Sequence, residues 1–477
     1  MKYYANYIGG EWREGPSAAP NLNPSDPSDV IGDFARADAH QASAAVEAAA
    51  AAQKAWHAAG PQERFTVLDS AGSEILQRAV ELGDLLSREE GKTLPEAVAE
   101  VRRAGQIFKF HAAEALRNPG EFLESVRPGV EVLVGREPVG VVSIITPWNF
   151  PMAIPAWKIA PALAHGNAVV FKPADLVPGS AWHLVEILAR AGLPAGVLNL
   201  VMGRGREVGD VLTGDHRVNA VSFTGSVQTG HRVRASAQSH GARVQLEMGG
   251  KNPLIVTDDA DLDLAVRGAL EGAYGSTGQR CTASSRLIVT DKIHDEFVSR
   301  LGDAVASISV GDARDPKTEM GPVVDETQLA QDLEYIAIAD REGGTVLGGE
   351  AIDSASKGYF LTPALVVGTK ASDTINREEV FGPVASVVRV ADLDDAIAAA
   401  NDTEFGLTSG IYTTSLHAAS RFRRESTAGM VMVNVPTAGV DYHVPFGGRK
   451  ASSYGPREQG RDARDFYTIT KTAYVAW

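Results

Sequence analysis

One cysteine and one glutamate stand out among the residues that could do chemistry. Cys281, the only cysteine, lies in the segment GQRCT, and Glu247 lies 34 residues earlier, just before Gly249-Gly250. The adjacent Arg280 would favour the thiolate, which is the nucleophilic form of a cysteine. By residue type alone, however, a lone cysteine is more often a small buried hydrophobe, and a carboxylate before two glycines is usually a cap or a solvated loop residue. If the two side chains face each other, Glu247 could act as a general base on the thiol or on a hydrolytic water.

Three further segments carry weaker signals. Asn149 lies in TPWNFP, where the default interpretation is a turn residue before Phe150-Pro151. Gly225-Ser226 in FTGSVQTG closes a predicted strand and opens a predicted helix, so its N–H groups and the helix dipole could face a pyrophosphate. A strand–helix turn without any ligand is an equal alternative. The segment GRGREVG at 203–209 is similar to a phosphate turn but lacks the spacing of the dinucleotide-binding fingerprint.

Alternating strands and helices are predicted to position these residues. From Val139 to Met248 short apolar runs alternate with helical segments, which predicts a parallel, doubly wound sheet that binds ligands at the carboxyl ends of its strands. A second alternating region runs from Asn252 to about Val435. The strand candidates of the first region are VGVVSIIT, NAVVFKP, GVLNLVMG, NAVSFTG and VQLEMG.

The two ends of the chain add helices and one strand. An alanine-rich stretch at 42–59 predicts an amphipathic packing helix. A second helix is predicted from about Pro95 to Leu116, with Pro119-Gly120 as its stop signal. The C-terminal segment DFYTITKTAYVAW alternates like an edge strand. Because an isolated edge strand is a liability, it should pair with another subunit or with another part of the chain.

Composition excludes several classes of function. The 477 residues imply two or three domains, and the net charge of -15 argues against a general affinity for nucleic acid or an anionic membrane. A single cysteine forms no intramolecular disulfide. The run from Pro138 to Trp157 has no charged residue, but its prolines and glycine favour a buried strand and an active-site loop over a membrane span. We expect a cytoplasmic protein without a signal peptide, and we predict no metal site.

Five motifs in sequence order together resemble the aldehyde dehydrogenase superfamily, and the similarity covers nearly the whole chain. The motifs are TPWNFP, LEMGGKNP, GQRCT, EEVFGP and PFGGRK. The resemblance implies an α/β fold with a Rossmann-like parallel-sheet domain for NAD(P) at 1–120 and 139–249. It implies an α/β catalytic domain at 250–445 and small β oligomerisation segments at 121–138 and 446–477. A homodimer or homotetramer is expected.

The resemblance also implies roles for the catalytic residues. Cys281 would attack an aldehyde carbonyl to give a thiohemiacetal, and the Asn149 side-chain amide and the Cys281 backbone N–H would form the oxyanion hole. After oxidation to a thioester, Glu247 would activate the hydrolytic water. Relatives that acylate coenzyme A commonly lack this glutamate, so its presence favours release of a free carboxylic acid.

Cofactor residues are implied in the same way. Lys172 and Asp175 match adenosine-ribose contacts, but members that prefer NAD usually have the longer glutamate in place of Asp175. A carboxylate there repels a 2′-phosphate whereas a lysine tolerates one, so NAD or NADP is expected, with a slight preference for NAD. Lys158 matches a family lysine near the site, and a structural ion pair is an equal alternative. The predicted cofactor contacts are Thr146, Pro147, Trp148, Lys172, Asp175, Gly205, Gly209, Phe223, Gly225, Ser226, Glu379 and Phe381.

The substrate prediction rests on departures from the common pattern. Ser453 stands where glycine is usual, and Pro456 is an added residue. The chain looks most similar to the family members that oxidise α-ketoglutaric semialdehyde (2,5-dioxopentanoate), with succinic semialdehyde dehydrogenases as close neighbours. Both substrates carry a distal carboxylate, which needs a cationic anchor; Arg103 and Arg280 are candidates, although a single arginine is more often an ion-pair partner. An aromatic aldehyde substrate, and a non-catalytic structural or binding protein, remain alternatives.

Overall fold

Short strands and helices alternate along most of the chain. The computed structural model describes residues 2–117 and 120–477; Pro119, the predicted helix stop, lies outside them. The strands of these residues are β1 (Tyr3–Tyr4), β2 (Asn6–Ile8), β3 (Glu11–Arg13), β4 (Ser17–Asn23), β5 (Asp26–Arg36), β6 (Glu121–Glu124), β7 (Val130–Pro138), β8 (Val141–Ile145), β9 (Ala168–Lys172), β10 (Leu198–Leu200), β11 (Ala220–Thr224), β12 (Arg243–Glu247), β13 (Asn252–Val256), β14 (Ser284–Thr290), β15 (Thr345–Leu347), β16 (Ala364–Thr369), β17 (Val384–Val390), β18 (Thr408–Tyr412), β19 (Met430–Val433), β20 (Ser453–Tyr454) and β21 (Thr468–Ala476). The helices are α1 (Ala39–Ala58), α2 (Pro61–Gln77), α3 (Ala79–Glu90), α4 (Leu94–Ala115), α5 (Ala153–Ala164), α6 (Pro178–Arg190), α7 (Gly205–Gly214), α8 (Val227–Gln238), α9 (Leu262–Tyr274), α10 (Asp291–Ala306), α11 (Glu326–Arg341), α12 (Thr374–Arg377), α13 (Leu393–Asn401), α14 (Leu416–Glu425) and α15 (Arg464–Tyr467).

The first large sheet has eight strands in the order β20-β12-β11-β8-β9-β10-β2-β3. The five strands from β12 to β10 are parallel, as the apolar runs predicted, and β20, β2 and β3 are antiparallel additions at the edges. The strands β9 and β10 are buried throughout, as expected for parallel strands that helices cover on both faces. The predicted doubly wound sheet is confirmed, and the loops at its carboxyl ends contain Asn149 and Gly225.

The second large sheet has seven strands in the order β15-β16-β17-β14-β13-β18-β19, all parallel except β15. The segment after β12 leads directly into β13, so the carboxyl end of the first sheet is joined to the amino end of the second. Cys281 precedes β14, and Glu379 precedes β17. Because β13, β14 and β17 are neighbours and parallel, both residues lie at the amino edge of this sheet.

Two small antiparallel units complete the fold. One sheet has the order β1-β5-β4, and the other has the order β21-β7-β6. The C-terminal strand β21 pairs with β7 of the same chain from Thr468↔Pro138 to Ala476↔Val130. Of the two partners that the sequence left open, another part of the chain therefore covers one edge of β21.

Helix α4 is the element that the site uses most. It begins with a capping box between Thr93 and Glu96 and has a proline in its first turn, close to the predicted start at Pro95. The uncharged run Pro138–Trp157 is not one helix but contains β8, a loop and the beginning of α5. Among the described residues, no helix is long and apolar enough to cross a membrane.

Candidate active site

The Cys281 loop has an unusual backbone that neighbouring residues hold in place. Ser276, Thr277 and Gly278 have φ values of 50°, 56° and 67°, which is the left-handed region. Two non-glycine residues in this region cost about 1–3 kcal/mol each unless surrounding contacts impose the conformation. Such a contact comes from Glu96, which accepts from the Ser276 N–H at 2.8 Å. Further along the loop, Nδ2 of Asn252 donates to the Cys281 carbonyl at 2.8 Å. The LEMGGKNP motif therefore fixes the backbone of the cysteine loop.

The glycine pair in the same motif makes room for two neighbours. A Cβ on Gly250 would lie 2.8 Å from the Cys281 carbonyl oxygen, and one on Gly249 would lie 2.2 Å from Oε2 of Glu379. The Gly250 N–H also donates to Oε1 of Glu379 at 2.8 Å. Glycine at both positions thus lets the carboxylate of Glu379 pack beside the cysteine loop.

The thiol lies in a site that disfavours its charged form. Burial, with further contributions from Glu379 and Glu247, raises the pKa of the Cys281 thiol to about 12. The sequence predicted that Arg280 would stabilise the thiolate, but burial and the two carboxylates outweigh any such effect. The guanidinium of Arg280 turns to Glu96, at 3.0 Å, and is neutralised there.

Hydrogen bonds fix both the side chain and the backbone of Asn149. Its side-chain Nδ2 donates to the Gln279 carbonyl at 2.9 Å, and its backbone carbonyl accepts from Nζ of Lys92 at 2.7 Å. A primary amide carries two N–H groups, and only one is needed for Gln279. Since Asn149 and Cys281 line the same cavity, the second N–H is suited to an oxyanion formed at the sulfur.

Glu247 ends β12 and is 3% exposed. Burial and the nearby carboxylate of Glu458 raise its pKa well above the ordinary value. Ser453 lies opposite it on β20, and the Ser453 hydroxyl donates to Oε2 of Glu247 at 2.5 Å. A carboxylate with a raised pKa beside a nucleophile is suited to proton transfer.

A second buried carboxylate, Glu458, was not predicted. It forms an ion pair with Lys158, and both side chains are almost fully buried. Nζ of Lys158 also donates to the Ser222 hydroxyl at 2.8 Å, and Nε1 of Trp157 donates to Oε2 of Glu458 at 2.7 Å. Of the two interpretations of Lys158, the structural ion pair is the one observed. No local motif signals this pairing, because the partners are 300 residues apart.

Two cavities meet at Cys281. One has a volume of about 340 Å³, and the other has a volume of about 290 Å³. Cys281 and Ile154 line both. A nucleophile at the junction can be reached by one ligand from each side.

Six of the twelve predicted cofactor residues line the larger cavity. They are Pro147, Trp148, Gly225, Ser226, Glu379 and Phe381. The rings of Trp148 and Phe381 meet edge to face at 5.5 Å, and Ser226 caps the first turn of α8. Buried in this wall, Glu379 has a pKa raised to about 7. Gln328 and Gln331, which were not predicted, line the same cavity and donate to the Val380 carbonyl.

The other six predicted cofactor residues do not line that cavity. Lys172 and Asp175 form a contact of 3.2 Å after β9. Asp175 also lines a small hollow with Arg36, another residue that the sequence did not indicate. The remaining four are Thr146, which directly follows β8, Phe223, which lies within β11, and Gly205 and Gly209 on the first turns of α7. A Cβ on either of these glycines would meet open space, so close packing does not explain them.

Both arginine candidates line the smaller cavity, but they differ in their ion-pair partners. Its cationic lining residues are Lys92, Arg103 and Arg280. Lys92 is paired with Glu100 at 2.7 Å, and Arg280 is paired with Glu96.

Arg103 differs from both. Among the residues that the structure describes, no carboxylate lies within 4.0 Å of its guanidinium. NH2 donates weakly to Oε1 of Gln459 at 3.3 Å, and the buried Nε has no partner. Burial lowers the pKa of Arg103. Glu100 and Asp441 act on this charge only from beyond ion-pair distance, so among the described residues Arg103 is the one cation of the smaller cavity without a direct carboxylate partner.

Comparison with known proteins identifies the family. Residues 12–473 match the model of the aldehyde dehydrogenase family. The chain belongs to this family. Its curated relatives include the α-ketoglutarate semialdehyde dehydrogenase of Haloferax volcanii, 44% identical over 99% of both chains. The 2,5-dioxopentanoate dehydrogenase of Saccharolobus solfataricus is 41% identical over the full length of both.

Solved structures of the family have the same fold. The betaine aldehyde dehydrogenase of Staphylococcus aureus in complex with NAD+ is 34% identical and superposes with a TM-score of 0.97, over 99% of this chain and 95% of that one. The predicted aldehyde dehydrogenase fold is thus confirmed. The roles of the individual site residues and the domain boundaries stay predictions.

Proposed function

We propose that the chain oxidises an aldehyde with a distal carboxylate, of the α-ketoglutaric semialdehyde type, to the corresponding acid with NAD(P)+. The proposal rests on the position of Arg103. Its guanidinium lines the cavity of about 290 Å³ beside Cys281 and has no carboxylate partner among the described residues. A substrate carboxylate would supply the missing countercharge. The two relatives named above, at 41% and 44% identity, support the same substrate class.

The first step is addition of the thiol to the aldehyde. Sγ of Cys281 bonds to the carbonyl carbon, its proton passes to water in the cavity, and the electron pair of the C=O π bond leaves the negative charge on the carbonyl oxygen. Nδ2 of Asn149 and the backbone N–H of Cys281 donate to this oxygen. Donors already oriented in this way are worth about 3–4 kcal/mol each in the transition state.

The larger cavity fits the nicotinamide end of the cofactor. Trp148, Phe381 and Glu379 would hold the nicotinamide and its ribose, and Gly225-Ser226 at the amino end of α8 would hold the pyrophosphate. Bound NAD(P)+ supplies the acceptor for the hydride that leaves the thiohemiacetal carbon. Asp175 favours a free ribose 2′-hydroxyl, whereas its neighbour Lys172 tolerates a phosphate, so we propose use of both cofactors with a preference for NAD.

The second step is hydrolysis of the thioester. Water adds to the acyl carbon as the carboxylate of Glu247 takes one of its protons. The C–S bond then breaks, the thiolate of Cys281 leaves with the bonding electrons, and the free acid is released. Proton transfer by a positioned carboxylate typically contributes a factor of about 10²–10⁴ to the rate.

A substrate panel tests the proposal. α-Ketoglutaric semialdehyde, succinic semialdehyde, benzaldehyde and betaine aldehyde would be compared by kcat/KM, with NAD and with NADP, from the absorbance of the reduced cofactor. We expect the two carboxylate-bearing aldehydes to lead and Cys281→Ala to abolish the signal. A preference for benzaldehyde would contradict the acidic substrate, and no aldehyde-dependent reduction at all would favour a non-catalytic protein.

Arg103 provides the sharper variant. Loss of a charge-assisted hydrogen bond is worth about 1.5–3 kcal/mol. Arg103→Met should therefore raise KM for the acidic aldehydes about 10- to 100-fold and leave kcat/KM for benzaldehyde unchanged. The control is Arg102→Met, since Arg102 is exposed on the same helix. Equal losses for acidic and neutral aldehydes would mean that Arg103 has a structural role only.

We also propose a homodimer or homotetramer formed through the β6–β7–β21 sheet, and a cytoplasmic location. Several large apolar side chains of this sheet and its tail are exposed, which supports the first. The net charge of -15 and the single free thiol support the second.

A further inference from the structure

The antiparallel pairing of β12 with β20 places Ser453 directly opposite Glu247. The Ser453 hydroxyl donates to Oε2 of Glu247 at 2.5 Å and accepts from the Gly448 N–H at 2.6 Å. Because a backbone donor occupies one side of the hydroxyl oxygen, the hydroxyl proton points at the carboxylate. A glycine or alanine at position 453 would offer no such donor.

The other carboxylate oxygen lies against the PFGGRK segment. A Cβ on Gly447 would be 2.7 Å from Oε1 of Glu247, and Gly447 has a φ of 148°. Both oxygens therefore face residues 447–453. Two cavities meet at Cys281, and the described residues that line them do not include Glu247.

A general base must come within hydrogen-bond reach of the water that it activates. Since the acyl carbon is bonded to Sγ of Cys281, that water lies at the junction of the cavities. The Glu247 side chain must therefore leave Ser453 before it can act, and the hydrogen bond to Ser453 opposes this movement.

We infer that Ser453 is a positioning residue that holds Glu247 in a retracted position and thereby slows hydrolysis of the thioester. The inference rests on the proposed function, because it concerns the second step of that reaction. Lys158, Arg457 and Glu458 also bear charge toward Glu247. They are unchanged by a substitution at Ser453, so the effect of the hydroxyl can be measured alone.

The test separates the two chemical steps. With enzyme in excess over α-ketoglutaric semialdehyde, reduced cofactor reports hydride transfer, and free acid in quenched samples reports hydrolysis. Ser453→Ala removes the hydroxyl at a half-buried position where folding should survive, and Ser453→Thr keeps a hydroxyl as the matched control. Both would be compared with the wild type from pH 6 to pH 10, because burial raises the pKa of Glu247 well above its ordinary value.

We expect Ser453→Ala to leave the rate of hydride transfer unchanged and to raise the hydrolysis rate on the alkaline plateau about tenfold. The same change should move the acid limb of the hydrolysis profile to higher pH, because the hydrogen bond from Ser453 lowers the pKa of Glu247. A residue with only a structural role would produce neither a faster plateau nor this shift. Ser453→Thr should behave like the wild type.

An equal or slower plateau in Ser453→Ala, with normal hydride transfer, would overturn the inference and leave the proposed function intact. No cofactor reduction in the wild type would instead contradict the proposed function itself. The two failures are therefore distinguishable.

Discussion

At the scale of single residues, the thiol of Cys281 lies among carboxylates. Burial, Glu379 and Glu247 all raise its pKa, and Arg280, its neighbour in sequence, is paired with Glu96. The neutral thiol is thus the resting form, and reactivity depends on losing a proton. Such a nucleophile is protected from alkylation and oxidation while no substrate is bound.

Alkylation of the free protein should follow this pKa. Below a thiol pKa of about 12, the thiolate fraction rises tenfold with each pH unit. We expect inactivation by iodoacetamide to accelerate about tenfold per unit from pH 7 to pH 10 without levelling off. Cys281→Ala is the control for labelling elsewhere. A plateau near pH 8 would show that the thiolate is stabilised.

Glu247 should matter after hydride transfer and not before it. Because acylation precedes hydrolysis, Glu247→Ala should retain a burst of reduced cofactor, followed by turnover about 10²- to 10⁴-fold slower than that of the wild type. Stopped-flow absorbance measures both phases. Loss of the burst together with turnover would mean that Glu247 activates the thiol.

Local motifs predicted the residues whose neighbours in sequence are also their neighbours in space. Asn149, Cys281 and Glu379 each lie in such a motif, and the structure brings them to one cavity wall. Glu458 could not be found in this way, since its partners come from strands and helices far along the chain. The sequence also could not show which of Arg103 and Arg280 is free of an ion pair, because this depends on whether a carboxylate of α4 reaches the guanidinium.

At the scale of elements, the beginning of α4 supports both sides of the proposed oxyanion hole. Glu96 accepts from the Ser276 N–H at 2.8 Å and so holds the cysteine loop. Lys92, which is 1% exposed, donates to the Asn149 carbonyl and contacts Glu100. Glu100 in turn accepts from the N–H groups that begin α5. The relative position of Asn149 and Cys281 therefore depends on this helix.

Removing the buried pair should impair hydride transfer. Lys92→Met alone would leave the buried Glu100 carboxylate without its ion-pair partner, at a cost of about 3–5 kcal/mol in stability. We therefore propose the double variant Lys92→Met/Glu100→Gln, which removes both charges of this pair; Glu90, 3.8 Å from Lys92, can take up a proton because burial raises its pKa to about 8. We expect the burst rate to fall about 10- to 100-fold, within the range for loss of one oxyanion donor.

Two comparisons control this experiment. Lys109→Met/Asp69→Asn removes a half-exposed pair at the other end of α4, 2.6 Å long, and should leave the burst unchanged. Added to Asn149→Ala, the Lys92 and Glu100 changes should cost little more, because the group they position is already absent. If the losses of the combined variant were fully additive, the Lys92 and Glu100 changes would act through a group other than Asn149.

The parallel strands were predictable for a simple reason. Each is a short run that is largely buried on both faces, and such runs are mainly apolar. The edge additions β2, β3 and β20 were not predicted, because two or three residues carry too little pattern. The partner of β21 stayed open in the sequence, since pairing across more than 300 residues leaves no local trace.

At the scale of the whole molecule, the β6–β7–β21 sheet is poorly covered by its own chain. Phe122 is 62% exposed, Tyr474 is 61% exposed, and Trp477 is 78% exposed. Exposed apolar side chains on an edge strand favour association with a second copy. An assembly through this sheet would cover them.

Two substitutions on one face of β21 should disrupt the proposed assembly. Ile469 and Val475 are six residues apart and so share a face of the strand. Ile469→Lys/Val475→Lys should convert the oligomer to a monomer in light scattering coupled to size exclusion. Leu416→Lys, at an exposed apolar residue of α14, is the control. An unchanged mass would place the interface elsewhere.

The isolation of Arg103 also bears on how substrate preference can change. Its side chain contacts Gln459 and the ring of Trp157, and neither contact belongs to the pairs that hold Asn149 and the cysteine loop. Under the proposed function, a mutation at position 103 would therefore remove the affinity for acidic aldehydes without disturbing the contacts that hold Asn149 and the cysteine loop. During divergence within the family, or under selection for neutral aldehydes, a single substitution of Arg103 would therefore be enough to change the preferred substrate.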